Sequence, residues 1–362
     1  MVVRILALCC FCFIAGAVQA ADFSVTFVNP GGKTGFWGEV AKTMAAAAED
    51  LNADLEILYA DRQPYAMEEL LIHRLEQGDL PDYFVLVNEN QAAARLLQLM
   101  EGTSSKVLLL LNKLTSKQRR TLELRHISMQ KVIASIIPDN ETAGYEMAQS
   151  LFENVRQTHP EASGIRLLAL TGDTSTPAGV QRELGMLRAV ADNRDVTLVH
   201  AIPVQWNEEL AYDRARSVLN RTRIDAVWGA NDSIAFGALK AAKEDGLAAG
   251  RDIQFVGLNW SKRGMDAVRS RELTMTHGGH FFAGAWAMVM LRDHFFKRVK
   301  GEVHVDVLFK MSPITPENVD LYLSRLGDGD WRKIAFEKFS KVETGSSHYD
   351  FSAEAILNAA GS

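Results

Sequence analysis

The feature that most constrains this chain is an alternation. Short apolar runs recur along it, and each is followed by a stretch with helical periodicity. The first set of candidate strands falls at residues 23–29, 55–59, 83–87 and 107–111. A second set follows at residues 131–137, 166–170, 196–201, 226–228, 253–258 and 273–276. After the first strand, Trp37, Val40, Ala41, Met44, Ala45 and Ala48 share one helical face at a period of 3.6. Further helices are expected at residues 67–75, 91–100, 141–155, 181–191, 208–220, 233–245, 265–269 and 283–297. Near-continuous apolar strands suit parallel sheets buried on both faces. Strand–helix alternation with right-handed crossovers predicts doubly wound α/β layers. Ten or more strands are too many for one compact sheet of this length, so the expected fold is two Rossmann-like lobes.

The first twenty residues stand apart from this pattern. Arg4 precedes an apolar run from Ile5 to Val18, and Val18-Gln19-Ala20 offers a small-x-small cleavage site. This reads as a secretory signal at residues 1–20, removed after Ala20. The run is too short to span a bilayer comfortably, and no basic cluster follows it. Cys9, Cys10 and Cys12 are the three cysteines, and all lie in this segment. The mature chain then has no thiol for a disulfide, a metal or a nucleophile. A large exported protein without disulfides fits the periplasm of a Gram-negative bacterium.

Charge narrows the partners. The net charge is −6, and becomes −7 once Arg4 leaves with the signal. No global basic field attracts nucleic acid, so neither DNA nor RNA is an expected partner. No later apolar run is long enough to cross a bilayer.

Familiar catalytic motifs are missing. There is no GxxxxGK[ST], no GxSxG and no HExxH. His277-Gly278-Gly279-His280 places two imidazoles three residues apart, but the glycine pair argues for a loop rather than a metal-binding helix face. No metal and no cofactor are expected. Gly31-Gly32 lacks the full dinucleotide fingerprint. Asp61-Arg62 and residues 117–120 read as solvated charged clusters.

In doubly wound sheets, ligands sit beyond the carboxyl ends of the strands. The residues at those positions are planar amides and aromatic rings: Asn29, Phe36, Trp37, Asn88, Asn112, Asp139, Asn140, Asp173, Trp206, Asn231, Asp232, Asn259, Trp260 and His277. Amides and carboxylates pair with vicinal hydroxyls. Aromatic faces cover the C–H face of a sugar ring.

Several segments are similar to the type I periplasmic binding proteins. This family includes ribose- and galactose-binding proteins and the ligand domains of the lactose-repressor class. Gly35-Phe36-Trp37 after the first strand resembles the family's aromatic pair, and the Asp139-Asn140 segment up to Gly144 resembles the opening of its second lobe. Gly172-Asp173-Thr174 with the Gln181–Gly185 helix start, and Val256-Gly257-Leu258-Asn259, are further matches. Asn231-Asp232-Ser233-Ile234-Ala235-Phe236-Gly237-Ala238 is similar to its most specific signature.

The resemblance covers residues 22–310 and implies two lobes joined by a three-strand hinge, closing on ligand. It implies an N-terminal lobe of residues 21–134 plus 278–310, a C-terminal lobe of 135–277, and an extension at 311–362 crossing the hinge. It places Phe36, Trp37, Asn112, Arg182, Trp206, Asn231, Asp232, Asn259 and His277 at ligand contacts. Pentose binders carry Asp-Arg at Asn112-Lys113, Asp at Asn259 and Gln at His277, so two carboxylate acceptors are lost here. Trp37, Asn112 and the long C-terminal segment also resemble the autoinducer-2-binding branch, which has an Arg where this chain has His277.

Structural roles compete with these. Trp37 lies on its helix's apolar stripe, Asn231 or Asp232 could cap a helix, Asn112 could start a turn, and Arg182 could form a surface ion pair. The leading expectation is a non-enzymatic, monomeric periplasmic solute-binding protein. It would capture a small sugar-like ligand and deliver it to a membrane ABC permease. One alternative is a ligand sensor that signals to a membrane kinase or cyclase. Another is an exported glycoside-type hydrolase using a carboxylate pair among Asp139, Asp173 and Asp232.

Overall fold

Two twisted six-stranded sheets, one per lobe, carry the strand–helix units. The computed structural model describes residues 21–297 and 305–360, so the expected signal at residues 1–20 lies outside the described residues.

The first run of the chain comprises β1 (Phe23–Asn29), α1 (Gly35–Asp50), β2 (Ala53–Tyr59), α2 (Ala66–Glu76), β3 (Tyr83–Val87), α3 (Ala93–Leu99), β4 (Lys106–Leu110), α4 (Ser116–Leu124) and β5 (Val132–Pro138). The second comprises α5 (Asn140–Thr158), β6 (Ile165–Thr171), α6 (Pro177–Asp192), β7 (Val196–Pro203), α7 (Glu208–Leu219), β8 (Ala226–Gly229), α8 (Asp232–Glu244), β9 (Gln254–Leu258), α9 (Lys262–Arg269) and β10 (Met275–Gly278). The chain then returns through α10 (Ala283–Lys297) and β11 (Val305–Phe309), and crosses again into β12 (Ser312–Ile314). It ends in α11 (Val319–Leu326), α12 (Lys341–Thr344) and α13 (Ala353–Ala359).

The strand orders are β11-β5-β4-β3-β1-β2 and β12-β10-β9-β8-β6-β7. Every pairing is parallel except β10 with β12. Central strands such as β3 and β8 are buried at every residue. The edge strands β2, β7 and β11 are partly exposed. Apolar side chains on both sheet faces therefore meet helices, as parallel sheets require.

Helix starts are fixed by side chains that accept otherwise unpaired backbone N–H groups. Asp139, Thr176, Asn207, Asn231 and Ser261 cap α5 to α9 in this way. Helix α4 was not expected, because residues 117–120 read only as charge. A capping box between Thr115 and Gln118 starts it, and Leu122 buries its apolar side. The expected lobe boundaries, after residues 134 and 277, fall inside β5 and β10. Each of these strands lies within one sheet over its whole length.

Three segments cross between the lobes: the end of β5 into α5, Gly278-Gly279 after β10, and Lys310-Met311 between β11 and β12. The crossings are tied together. Asp139 N–H donates to the Phe309 carbonyl at 2.9 Å. Trp260 Nε1 donates to the Ser312 carbonyl at 2.8 Å. Gly278 and Gly279 have φ of 157° and 92°, and a Cβ on either would press on Trp260. The tail then touches both lobes. Tyr322 packs on Trp260 at 4.9 Å between ring centroids, Trp331 Nε1 donates to Glu39, and Phe351 stacks on Trp286 at 4.6 Å.

Candidate functional site: the inter-lobe cleft

The carboxyl ends of both sheets face one cleft. Phe36 and Trp37 follow β1, Arg62 follows β2, Glu89 follows β3, Leu111 and Asn112 follow β4, and Pro138 ends β5. From the second lobe come Thr176, Ala178 and Arg182 after β6, Trp206 after β7, Asn231 after β8 and Asn259 after β9. His280 follows β10. The lined space is about 540 Å³, part of it open to solvent.

Close backbone approach seats the rings. A Cβ on Gly31 would overlap Trp37, and a Cβ on Gly172 would overlap the Trp206 ring. Asn29 donates to the Trp37 carbonyl at 3.1 Å and accepts from Gly31 N–H at 2.9 Å, which fixes the loop before α1. Gln205 and Trp206 both adopt left-handed backbone, with φ of 51° and 60°, so the chain turns sharply and presents the ring.

Arg182 lies at the centre of the second wall and is 4% exposed. Its Nε donates to Asn140 Oδ1 at 2.8 Å, and its Nη1 donates to the Ala230 carbonyl at 3.0 Å. Its Nη2 lies 3.2 Å from His280 Nε2, and the guanidinium sits 5.5 Å from the Trp206 ring. Burial pulls its pKa down to about 9, so it stays protonated at neutral pH.

Because Arg182 can only donate, His280 Nε2 must accept and its proton sits on Nδ1. That buried Nδ1 has no partner. Burial holds His280 well below the usual imidazole range, and the Arg182 charge pushes it lower. Its ring stacks on Phe36 with centroids 4.5 Å apart. His280 therefore links a first-lobe ring to a second-lobe cation.

Asn112 is 5% exposed and its Oδ1 has no hydrogen-bond partner, an acceptor left open at the cleft. Asn231 accepts Ile234 N–H at 2.9 Å as the cap of α8 and also lines the cleft. Asn259 has φ of 148°, held by its N–H to the His277 carbonyl at 2.7 Å. Glu89 is buried beside Arg62, 3.6 Å away; burial raises its carboxyl pKa, Arg62 lowers it, and Asp173 raises it. Ser175 Oγ donates to Asn90 Oδ1 at 3.2 Å, joining the two lobes.

Seven of the residues expected at ligand contacts thus meet at the cleft: Phe36, Trp37, Asn112, Arg182, Trp206, Asn231 and Asn259. Two do not. Asp232 is buried beneath the helix starts, where it accepts from Ser261 N–H, Ser261 Oγ and Thr276 Oγ1. Burial raises its pKa and the two hydroxyl donors pull it back. It braces α8 against α9 and β10. His277 points to α5, with Nε2 2.8 Å from Glu146. The left-handed glycine pair reverses the chain, so His280 reaches the cleft in its place.

Arg62, Glu89, Thr176 and His280 were not anticipated as lining residues. Arg62 and Glu89 follow strand ends, the same positional signal that identified Phe36 and Asn112. Asp139 caps α5 and Asp173 accepts from Ser175 N–H; among the described residues, Glu89 is the carboxyl residue on the cleft lining. Among the described residues, no cluster of three His, Cys, Asp or Glu is placed to hold a metal, and no helix is long and apolar enough to cross a membrane.

Two α/β lobes on three crossings, with a polar and aromatic cleft between them, define a hinged ligand-binding protein rather than a domain with one fixed pocket. Residues 25–296 match the family model described as a periplasmic binding protein domain, and the chain belongs to the type I periplasmic binding protein family. A solved periplasmic sugar-binding protein from Pseudomonas fluorescens is 35% identical, with a TM-score of 0.82 over 92% of this chain and 99% of that one. The arabinose-transporter binding protein of Shewanella sp. ANA-3, bound to L-arabinofuranose, shares the fold at 17% identity and a TM-score of 0.70, over 90% of this chain and all of that one. The xylitol-binding protein of Mycolicibacterium smegmatis is 24% identical over 195 residues, or 53% of this chain. The match spans 52% of that relative's length.

Proposed function

We propose that this protein is a periplasmic solute-binding protein that captures a small polyhydroxylated ligand between its lobes and delivers it to an ABC permease. The observation that carries this reading is the composition of the cleft. Aromatic faces (Phe36, Trp37, Trp206) and amides (Asn112, Asn231, Asn259) converge there from both lobes, with Asn112 Oδ1 left without a partner. Rings cover the apolar face of a sugar, and amides pair with its hydroxyls. His280 joins them in place of His277. The first lobe carries β1 to β5 with β11, the second carries β6 to β10 with β12, and the tail lies across both.

The mechanism is a population shift. Open and closed arrangements differ by rotation about the three crossings, and ligand bridges both walls only in the closed one. The closed surface is what the membrane permease reads. Hydrolysis is disfavoured, because acid–base cleavage of a glycoside needs two carboxyl groups flanking the bond. Among the described residues the lining offers Glu89 no second carboxyl group, and nearby Asp173 is held at the start of α6 by Ser175 N–H.

The test is a thermal-shift screen of the mature chain against sugars, polyols and nucleosides. A ligand that binds only the folded state raises the melting temperature by mass action. A shift for a sugar-like compound, lost in Trp206→Ala, supports the reading. A stripped, folded protein that no sugar or polyol shifts would remove it.

A further inference from the structure

After the three crossings at the hinge, the tail passes between the lobes once more. Its first part belongs to the second lobe. There β12 pairs with β10, and Asn318 donates to the Pro313 carbonyl at 3.2 Å just before α11. Helix α11 packs against α9, with Tyr322 on Trp260 and Asp320 3.9 Å from Arg269. Val319, Tyr322 and Leu326 form its buried side.

The later part of the tail belongs to the first lobe. Trp331 donates to Glu39 on α1 and packs on Phe281 and Phe282, with ring centroids 5.3 and 5.1 Å away. Asp50, at the end of α1, accepts Phe336 N–H at 2.7 Å. Buried Asp293 on α10 accepts from Ser340 Oγ and from Lys341 N–H. Phe339 and Phe351 lie against Trp286 of the same helix. Helices α1 and α10 pack on each other, and α10 covers β4 and β5, so these anchors move with the first lobe.

The chain joins the two parts only through Gly327-Asp328-Gly329-Asp330. From Leu326 to Trp331 it can span at most about 19 Å. The link is folded into a turn: Gly329 N–H donates to the Leu326 carbonyl at 3.1 Å, and Lys333 holds Asp328 at 2.7 Å. Freeing either end would expose buried aromatic surface, so neither slips.

Resting on the hinge motion proposed above, we propose that the tail is a tether that limits how far the lobes open. A link of fixed reach, anchored in both lobes, stops their rotation where its slack ends. The ligand-free protein is thereby kept nearer the closed arrangement, and less of the binding free energy goes into closing it.

The test measures lobe separation by pulsed electron spin resonance in the mature chain. Nitroxides are placed on Glu76→Cys in α2 and Ser217→Cys in α7, both exposed positions. From residue 21 onward the sequence has no other thiol. Inserting about twelve Gly and Ser residues after Gly329 adds roughly 20 Å of reach to the link. The same insertion after Gly345 lengthens the tail but not the link. Both glycines have φ of 67° and open space around them. Without ligand, the Gly329 insertion is expected to move the long end of the distance distribution outward by about 5 Å or more, a fraction of the added reach. The Gly345 insertion is expected to match the uninserted chain. A Gly329 insertion that also matches it would overturn the tether, and so would equal widening by both insertions. Ribose, galactose and xylitol separate this from the hinge itself. If a sugar shortens the distance while the Gly329 insertion leaves it unchanged, the tether falls and the hinge stands. If neither changes it, both fall. Should the insertion fail to fold, Tyr322→Ala loosens the second-lobe anchor instead. It is expected to widen the distribution in the same way, and an unwidened one would overturn the tether.

Discussion

The two lobes repeat one plan through five strands and part at the sixth. In the first lobe β11 runs parallel to β5, whereas in the second β12 runs antiparallel to β10. The chain's path explains this. β5 and β11 both leave the first lobe toward the cleft, so they agree in direction. β12 continues the same way into the second lobe, where β10 is coming out. The cleft walls diverge as well. The first offers two rings, an open amide and an Arg62–Glu89 pair; the second offers one ring, two helix starts and a buried Arg182. A duplicated scaffold thus supports two chemically unequal surfaces, because sheet cores set the scaffold and strand-end loops set the surface.

Each lobe also closes a helix seam on a glycine, and here the largest effects are expected. A Cβ on Gly185 in α6 would overlap the Glu141 carbonyl of α5, and a Cβ on Gly284 in α10 would overlap the Val40 carbonyl of α1. Backbone cannot yield as a flexible side chain does. Gly185→Val and Gly284→Val are each expected to cost about 3 kcal/mol or more in stability, read by denaturant unfolding. If only one lobe's seam proves sensitive, the packing of the lobes is less alike than their strand order.

The next effect compares the rings. Trp206 contacts both Gly172 and Arg182, so Trp206→Ala removes the facing ring and uncovers the cation. Its loss is expected to weaken ligand binding by about 2 kcal/mol, roughly 30-fold. Phe36 is backed by Trp37 and His280, which keep the first wall apolar without it. Phe36→Ala is expected to cost about 1 kcal/mol, roughly fivefold. Equal losses in a titration series would mean that the walls contribute alike to stacking.

How much of this was legible follows from the same division. The strands were readable because burial on both faces leaves near-continuous apolar runs such as Tyr83-Phe84-Val85-Leu86-Val87. Helix α4 was hidden, since it buries only Gln118 and Leu122. Most cleft residues follow from the strand-end rule, and Arg62 follows from it too once Asp61-Arg62 is not dismissed as solvated charge. The choice between His277 and His280 could not be made without the turn. It depends on two glycines at positive φ, which a list of residue types does not convey.

Smaller effects come from titration, and the hinge and the first wall are expected to differ in sign. His280 is held below the usual imidazole range. The unfolded chain therefore takes up a proton first as pH falls through about 6.5. Stability from this residue is present above that pH and is lost as acid is added below it. His277, also lowered by burial, acts in the same direction. In His280→Asn the fall in melting temperature between neutral and mildly acidic pH is expected to be shallower than in the wild type. An unchanged slope would show that His280 is hydrated or charged in the folded protein.

Glu89 provides the opposite sign and the smallest effect. Burial raises its carboxyl pKa, so the folded protein keeps the proton at pH values where the unfolded chain has released it. Its contribution is therefore present at low pH and lost as pH rises through the raised value. Arg62 opposes that loss by stabilising the carboxylate, and Asp173 adds to it. Asp232 is raised as well, so the wild-type slope mixes the two carboxyls. The informative quantity is the difference between Glu89→Gln and wild type. Glu89→Gln is expected to lose less stability than wild type between pH 4 and neutrality. A Glu89→Gln protein with a steeper loss of stability as pH rises would mean that the Arg62 pair outweighs burial. The first wall would then be held together by its charge rather than tolerating it.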